Sequence, residues 1–188
     1  MSPLPATRTW TVDARHSRVG FRVKHHAVAI FRSGFGDFEG RYEATTGSLT
    51  GSARVDSVQT FDGLRSRMLE PDVFDAERHP TISFVSTSTR ANGSGVTVEG
   101  DLTMRGVTRP VVATGTVSGT SRVRRYDGSV NDHFGLDLEL TIDRREFGLD
   151  WNNELLDGRL NLGWDVTLEL SLELSAPAEE DDGAARGE

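Results

Sequence analysis

The chain predicts an all-β fold, an extended eight-stranded antiparallel barrel with a short helical insertion near 62–79. Two observations carry this: very long stretches of period-two alternation, and turn-forming pairs between them. From Leu160 to Ser175, Leu160, Leu162, Trp164, Val166, Leu168, Leu170, Leu172 and Leu174 share one parity, while glycine and polar residues fill the other. Side chains in a strand point alternately to opposite faces, so this stretch has one apolar and one wet face. At about 3.3 Å per residue it extends roughly 50 Å, against about five or six residues for an ordinary strand, and must coil as barrel strands do.

The other elements follow in chain order. Thr9 to Val12 is a short strand, and Ser17 to His25 alternates with Val19, Phe21, Val23 and His25 on one face. Leu49 to Val55, Ile82 to Ser86, Val96 to Met104 and Val111 to Val117 are further candidates. A second long strand carries Phe134, Leu136, Leu138, Leu140 and Ile142 on one parity. Thr46-Gly47, Asn92-Gly93 and Asp127-Gly128 tolerate the positive φ that tight hairpins require. Between Gln59 and Pro80 the alternation stops. Asp62 is placed to cap a short helix, Leu64 and Met68 lie four apart on one face with Leu69 beside them, and Pro71 ends it. A second turn, Asp75 to Arg78, stops at Pro80. The insertion reads either as a connector plugging one barrel end or as a lid made by Leu64, Met68 and Leu69.

The 188 residues suffice for one sizeable core, and the organisation reads as a flexible segment 1–8, a barrel 9–175 and a disordered acidic tail 176–188. That tail, with Glu179, Glu180, Asp181 and Asp182 in a row, supplies about half of the net charge of -8. The acidic balance argues against nucleic acid, which calls for a basic face. The chain has no cysteine, which excludes disulfides, thiolate catalysis and cysteine zinc sites. Neither a run of signal-peptide length nor one long enough to span a bilayer is present, so the expectation is a soluble, cytoplasmic protein.

Several blocks resemble the YceI-like family, the polyisoprenoid-binding, lipocalin-like proteins. Trp10-Thr11-Val12-Asp13, His16-Ser17, Phe21-Arg22-Val23-Lys24-His25 and Phe38-Glu39-Gly40 are similar to its opening. Phe74-Asp75-Ala76 with Pro80-Thr81-Ile82-Ser83-Phe84 looks like its central motif, and Gly100 to Val111 like its most recognisable signature. Asp143 to Asn152 matches the late one. The resemblance spans about Trp10 to Leu174, and departs where Leu64-Arg65-Ser66-Arg67-Met68 stands in place of an Arg-Asp and His-Leu element. It implies a lipocalin-like barrel enclosing an elongated apolar tunnel for an isoprenoid chain, such as a quinone tail or polyprenyl lipid, and a possible homodimer.

An eight-stranded barrel is near the size at which the interior either fills with side chains or holds one small ligand. Each buried methylene gains roughly 0.8 kcal/mol, so a few isoprenoid units suffice for binding without any headgroup contact. The expected lining residues are the inward-parity Phe21, Val23, Phe84, Leu102, Met104 and Phe134. Leu136, Leu138, Leu162, Trp164 and Val166 continue the set, with His25 as a polar contact for a quinone oxygen. Trp151 is assigned to clasping a barrel end.

Histidine chemistry is the other place to look. His25 and His26, adjacent on a strand, should point to opposite faces and so cannot share a metal. His16 can pair with Asp13 in a turn, and His79 and His133 fall in loops. No nucleophile elbow, phosphate loop, dinucleotide fingerprint or metal-ligand spacing is present, so no catalytic residue, metal or cofactor is expected. The reading is a non-enzymatic carrier of a hydrophobic small molecule. Its alternatives are an enzyme using His25 with a carboxylate, and a ligand-free interaction module.

Overall fold

The computed structural model describes residues 4–179. Eleven strands form one sheet: β1 (Thr9–Val12), β2 (Arg18–His25), β3 (Ala29–Phe35), β4 (Phe38–Glu43), β5 (Ser48–Arg54), β6 (Thr81–Asn92), β7 (Gly95–Met104), β8 (Val107–Val117), β9 (Ser121–Arg124), β10 (Val130–Asp143) and β11 (Leu162–Pro177). Their order is β3-β2-β11-β1-β4-β5-β6-β7-β8-β10-β9, and β10 also pairs with β11, which closes the barrel.

Three pairs of strands act as one barrel strand each. Both β1 and β2 lie antiparallel to β11 on the same edge, the first beside Leu174 and Ser175, the second beside Leu162 to Ser171. The β3–β4 and β8–β9 pairs are interrupted in the same way: β3 lies on β2 and β4 on β1, while β8 and β9 share one edge of β10. The result is a closed eight-stranded antiparallel barrel. The sequence-derived segments correspond differently from expectation, because Thr9–Val12 and Ser17–His25 are halves of one barrel strand. The strand made by β3 and β4 escapes sequence detection. Its turn from β2 uses His26 and Ala27, both at positive φ (50° and 56°), without the glycine or asparagine that marks such turns. At the expected sites Gly47, Gly93 and Gly128 do adopt positive φ.

Helix α1 (Asp62–Leu69) is the short insertion. Phe61, with extended backbone, occupies its N-cap position and Asp62 is the first helical residue, without a side-chain capping bond. His79 and Arg78 donate their backbone N–H groups to the Asp75 carbonyl, forming the second turn. His133 lies inside β10 rather than in a loop, because that strand starts four residues before the alternation becomes apolar. Ala176 and Pro177, assigned to the tail, belong to β11, and Ala176 is buried. Leu4 packs on the core. Residues 180–188, the remainder of the expected tail, lie outside the described residues.

One end of the barrel is filled. Trp10, Tyr42 and Phe134 meet there, with the Trp10 and Phe134 rings edge to face at 5.0 Å and the Tyr42 and Phe134 rings at 5.8 Å. Leu136 and Leu174 complete a layer without space. Outside it, Asp132 is buried and accepts from Arg8 Nη2 at 2.9 Å and from Arg122 Nε at 2.8 Å, while the Arg8 guanidinium covers the Trp10 ring at 4.8 Å. The hydrogen bonds of Arg122, then of Arg8, hold the Asp132 carboxyl below its ordinary value despite burial. On the wall, β8 approaches β10 so closely at Gly115 that a Cβ would fall 1.8 Å from the Asp137 carbonyl oxygen, so no residue with a side chain fits this backbone.

Trp10→Ala should lower unfolding free energy by about 3–5 kcal/mol in urea denaturation, since it opens a cavity in the fully packed layer. Asp132→Asn should cost about 2 kcal/mol at neutral pH. Because the folded pKa is depressed, that difference is present above the ordinary carboxyl value of 3.8 and disappears as pH falls through the lower folded one.

Candidate functional site

The other half of the barrel is hollow. Along β11, Leu162, Val166, Leu168 and Leu170 point inward but are only half-buried, whereas Leu174 and Ala176 on the same parity are buried. A cavity of about 490 Å³ accounts for the difference. This lies within the roughly 300–1,000 Å³ of pockets that hold small molecules. It runs from Leu172, just above the aromatic layer, to the end where His25 pairs with Leu162 and where α1 sits. Phe61 is 70% exposed and also lines the cavity, so the space reaches solvent at α1.

The expected residues divide by height. Phe21, Val23, Phe84, Leu102, Met104, Leu138, Leu162 and Val166 line the cavity, and so does His25. Phe134 and Leu136 do not, because they belong to the filled layer. Parity places them inward, but only the packing opposite them decides whether space remains. Trp164 is off the wall for another reason. Between Leu162 and Val166 the register against β2 shifts, so that Gly163, Trp164 and Asp165 all oppose Lys24. This bulge carries the indole onto the guanidinium groups of Arg144 at 4.4 Å and Arg145 at 4.9 Å. On α1, Leu64 and Met68 line the cavity, while Leu69 packs against the core beside it. Trp151 is also on the wall, with the Arg67 guanidinium over its ring at 4.9 Å.

Parity on the predicted strands did not reveal the contributions of Phe31 and Phe35 from β3, nor of Phe74, all of which line the cavity. Their rings form a chain through Phe21, whose centroid lies 6.3 Å from Phe31 and 5.8 Å from Phe35, and Phe35 in turn lies 6.3 Å from Phe74. The Phe74-Asp75-Ala76 motif was the available signal.

The polar residues of the site cluster at the open end. His25 and His26 stack at 3.8 Å rather than facing opposite ways, because His26 has left the strand for the turn. Burial first, and then the His26 charge, lowers the His25 pKa. Arg144 is buried. It donates through Nε to the Gly163 carbonyl at 2.9 Å and through Nη1 to the Leu149 carbonyl. Burial lowers its pKa, against the raising effect of Asp143 and Asp150. Arg145 forks onto Asp143 at 2.9 and 3.0 Å, and holds that carboxyl down at about 2. The side-chain oxygen of Asn161 and Nη2 of Arg144 are both buried without a hydrogen-bond partner among the described residues.

Elsewhere, His16 Nδ1 lies 3.0 Å from Asp13 in the β1–β2 turn, as the sequence suggests, with Glu173 nearby. Glu173 is taken by His133 Nδ1 at 2.8 Å, so these groups read as ordinary surface pairs. No helix among the described residues is long and apolar enough to cross a membrane.

A closed antiparallel barrel with one packed end and one apolar, open-ended cavity defines a lipocalin-like architecture. The YceI-like domain description matches residues 10–174, and the chain belongs to that family. A UPF0312 protein of Staphylococcus aureus is 30% identical over 172 residues, covering 88% of this chain and 96% of the relative. The BcnA structure of Burkholderia cenocepacia superposes with a TM-score of 0.66 at 21% identity, over 86% of this chain and 98% of that one. A polyisoprenoid binding domain from Saccharophagus degradans, implicated in plant cell wall breakdown, also gives 0.66, at 18% identity over 89% and 98% of the two chains. At these identities the structural likeness concerns the fold.

His25→Gln should flatten the pH dependence of the thermal midpoint below the ordinary histidine value of 6.5. The folded state binds fewer protons at His25 than the unfolded chain does, so this contribution is complete above the ordinary value of 6.5 and is lost as pH falls below it. An unchanged slope would assign the pH dependence to other groups.

Proposed function

We propose that the protein is a non-enzymatic carrier or reservoir that holds one polyisoprenoid or similar amphiphilic lipid, such as an isoprenoid quinone or a polyprenyl chain, for use in the cytoplasm. The supporting observation is the change along β11 from half-buried Leu162 to Leu170 to buried Leu174, which marks an apolar hollow above a packed layer. The name of the Saccharophagus degradans neighbour supports the same ligand class.

In this reading the tail contacts Phe21, Val23, Phe84, Leu102, Met104, Leu138 and Val166, with Leu64 and Met68 of α1 closing over it. At roughly 25 cal/mol per Å² of buried apolar surface, the wall needs no polar contact to retain a chain. His25 serves the head end rather than a reaction, since its ring stacks on His26 and has no carboxylate partner among the described residues. A homodimer belongs to the proposal as well: among the described residues β9 stands at the end of the strand order and pairs with β10 alone, and a sheet edge of this kind suits pairing with a second copy. Sedimentation at micromolar concentration checks this point.

Native mass spectrometry of the protein after addition of a long-chain quinone or a polyprenol should show one ligand per chain. Ala113 lines the cavity from β8, so Ala113→Trp should reduce uptake at least about tenfold by occupying the space while the barrel remains folded by circular dichroism. Failure of the wild-type protein to take up either compound overturns the proposal. Undiminished uptake by the folded variant removes this cavity as the site.

A further inference from the structure

We infer that Arg144 is the anchor for the head of the bound amphiphile, and that this head carries an anionic oxygen, as in a carboxylate or a phosphate monoester. The inference rests on the carrier reading and adds head chemistry and orientation to it.

The local fold delivers the guanidinium to the wall. The Asp143 carboxylate accepts from the backbone N–H of Arg145 at 2.9 Å and starts a single 3-10 turn, Arg144–Phe147, which ends at Gly148 with φ 71°. This turn sends Arg145 outward onto Asp143, and Arg144 inward to 5% exposure. The β11 bulge then supplies two supports at once, the Gly163 carbonyl for Nε and the Trp164 ring over one face. With Nη1 on the Leu149 carbonyl, the group is immobilised by two neutral carbonyls and a ring.

None of these supports carries a full negative charge. Of the two carboxylates whose charges act on it, Asp143 is engaged by Arg145 and Asp150 forms no ion pair with it among the described residues. A buried guanidinium without an anion in hydrogen-bond contact is costly, and its Nη2 donors have no acceptor among the described residues. Protein interiors seldom leave such a group unmet unless something else meets it. The second orphan atom, Oδ1 of Asn161, belongs to another residue of the cavity wall, two positions before Gly163. An amide can present either end by a half turn about χ2, so Asn161 offers a donor beside the anion or an acceptor for a protonated head. The largely apolar cavity thus has a cation without an ion-pair partner among the described residues at its open end, opposite the Trp10, Tyr42 and Phe134 layer, whereas Arg67, the other arginine of its lining, is taken by Glu70 and Asp72. A ligand satisfying it lies head at the mouth and tail toward the rings.

Hydrogen bonds between a guanidinium and an anionic oxygen are stronger than those to a neutral oxygen, more so away from water. The test compares three ligands with one shared tail, geranylgeranoic acid, geranylgeranyl phosphate and geranylgeraniol, by quenching of tryptophan fluorescence in the full chain at neutral pH. For the wild type, at least one anionic ligand should bind about tenfold more tightly than the alcohol or better. Preference for the acid alone assigns a carboxylate head, and preference for both assigns any anionic oxygen. In Arg144→Gln the ratio of anionic-ligand to alcohol affinity should shrink to within about twofold, and Arg144→Lys should keep part of it. Equal binding of all three ligands by the wild type overturns the head assignment while leaving the carrier reading intact, whether or not the variants fold. Absence of binding by all three overturns both.

Discussion

The ladder between β10 and β11 is the constraint on which the rest depends. It runs without a break from Asn131 opposite Pro177 to Asp143 opposite Asp165, and it converts a sheet with two edges into a closed wall. Closure makes parity consequential: every inward side chain must meet another side chain, a void or a ligand. Near the start of β10 the neighbours of Phe134 are the rings of Trp10 and Tyr42, and the interior fills. Farther along, the inward leucines of β11 border open space instead. Packed layer and cavity are therefore two outcomes of one wall, separated by what stands opposite.

The ladder ends where the chemistry of the site begins. Past Asp143 the chain turns, and past Val166 in the other direction β11 bulges against β2. Each irregularity removes a residue from strand geometry, and together they place Arg144, Gly163 and Trp164 in contact. Regular pairing builds the apolar wall, whereas its two interruptions supply the polar end. The glycine at the bulge contributes by having no side chain, since a Cβ there would press on that of Lys24 at 3.1 Å.

Much of the fold was legible because alternation is enforced by the barrel itself. β1 matches its expected bounds, and β2, β5 and β7 lie within one residue of theirs. Legibility failed where backbone geometry departed from its usual sequence markers. His26 and Ala27 turn the chain without glycine, which concealed β3 and with it Phe31 and Phe35. Trp164 has the parity of a wall residue, and only the bulge, which depends on how β2 and β11 meet, turns it away. Phe134 and Leu136 were placed on the correct face, but whether a face borders a void depends on side chains brought from β1 and β4. The isolation of Arg144 was hidden too, since a sequence showing Asp143 beside Arg144 and Arg145 does not say which arginine takes the carboxylate.

The layer of Trp10, Tyr42 and Phe134 rings gives the cavity a floor as well as a stable end. A barrel open at both ends could let a long chain slide through and would be indifferent to its length. A blind one cannot: whatever enters past α1 advances until it touches the rings, and any excess stays outside in water. In the carrier reading the depth from the Arg144 end to the rings is a ruler for the bound chain, with the three aromatic side chains as its stop.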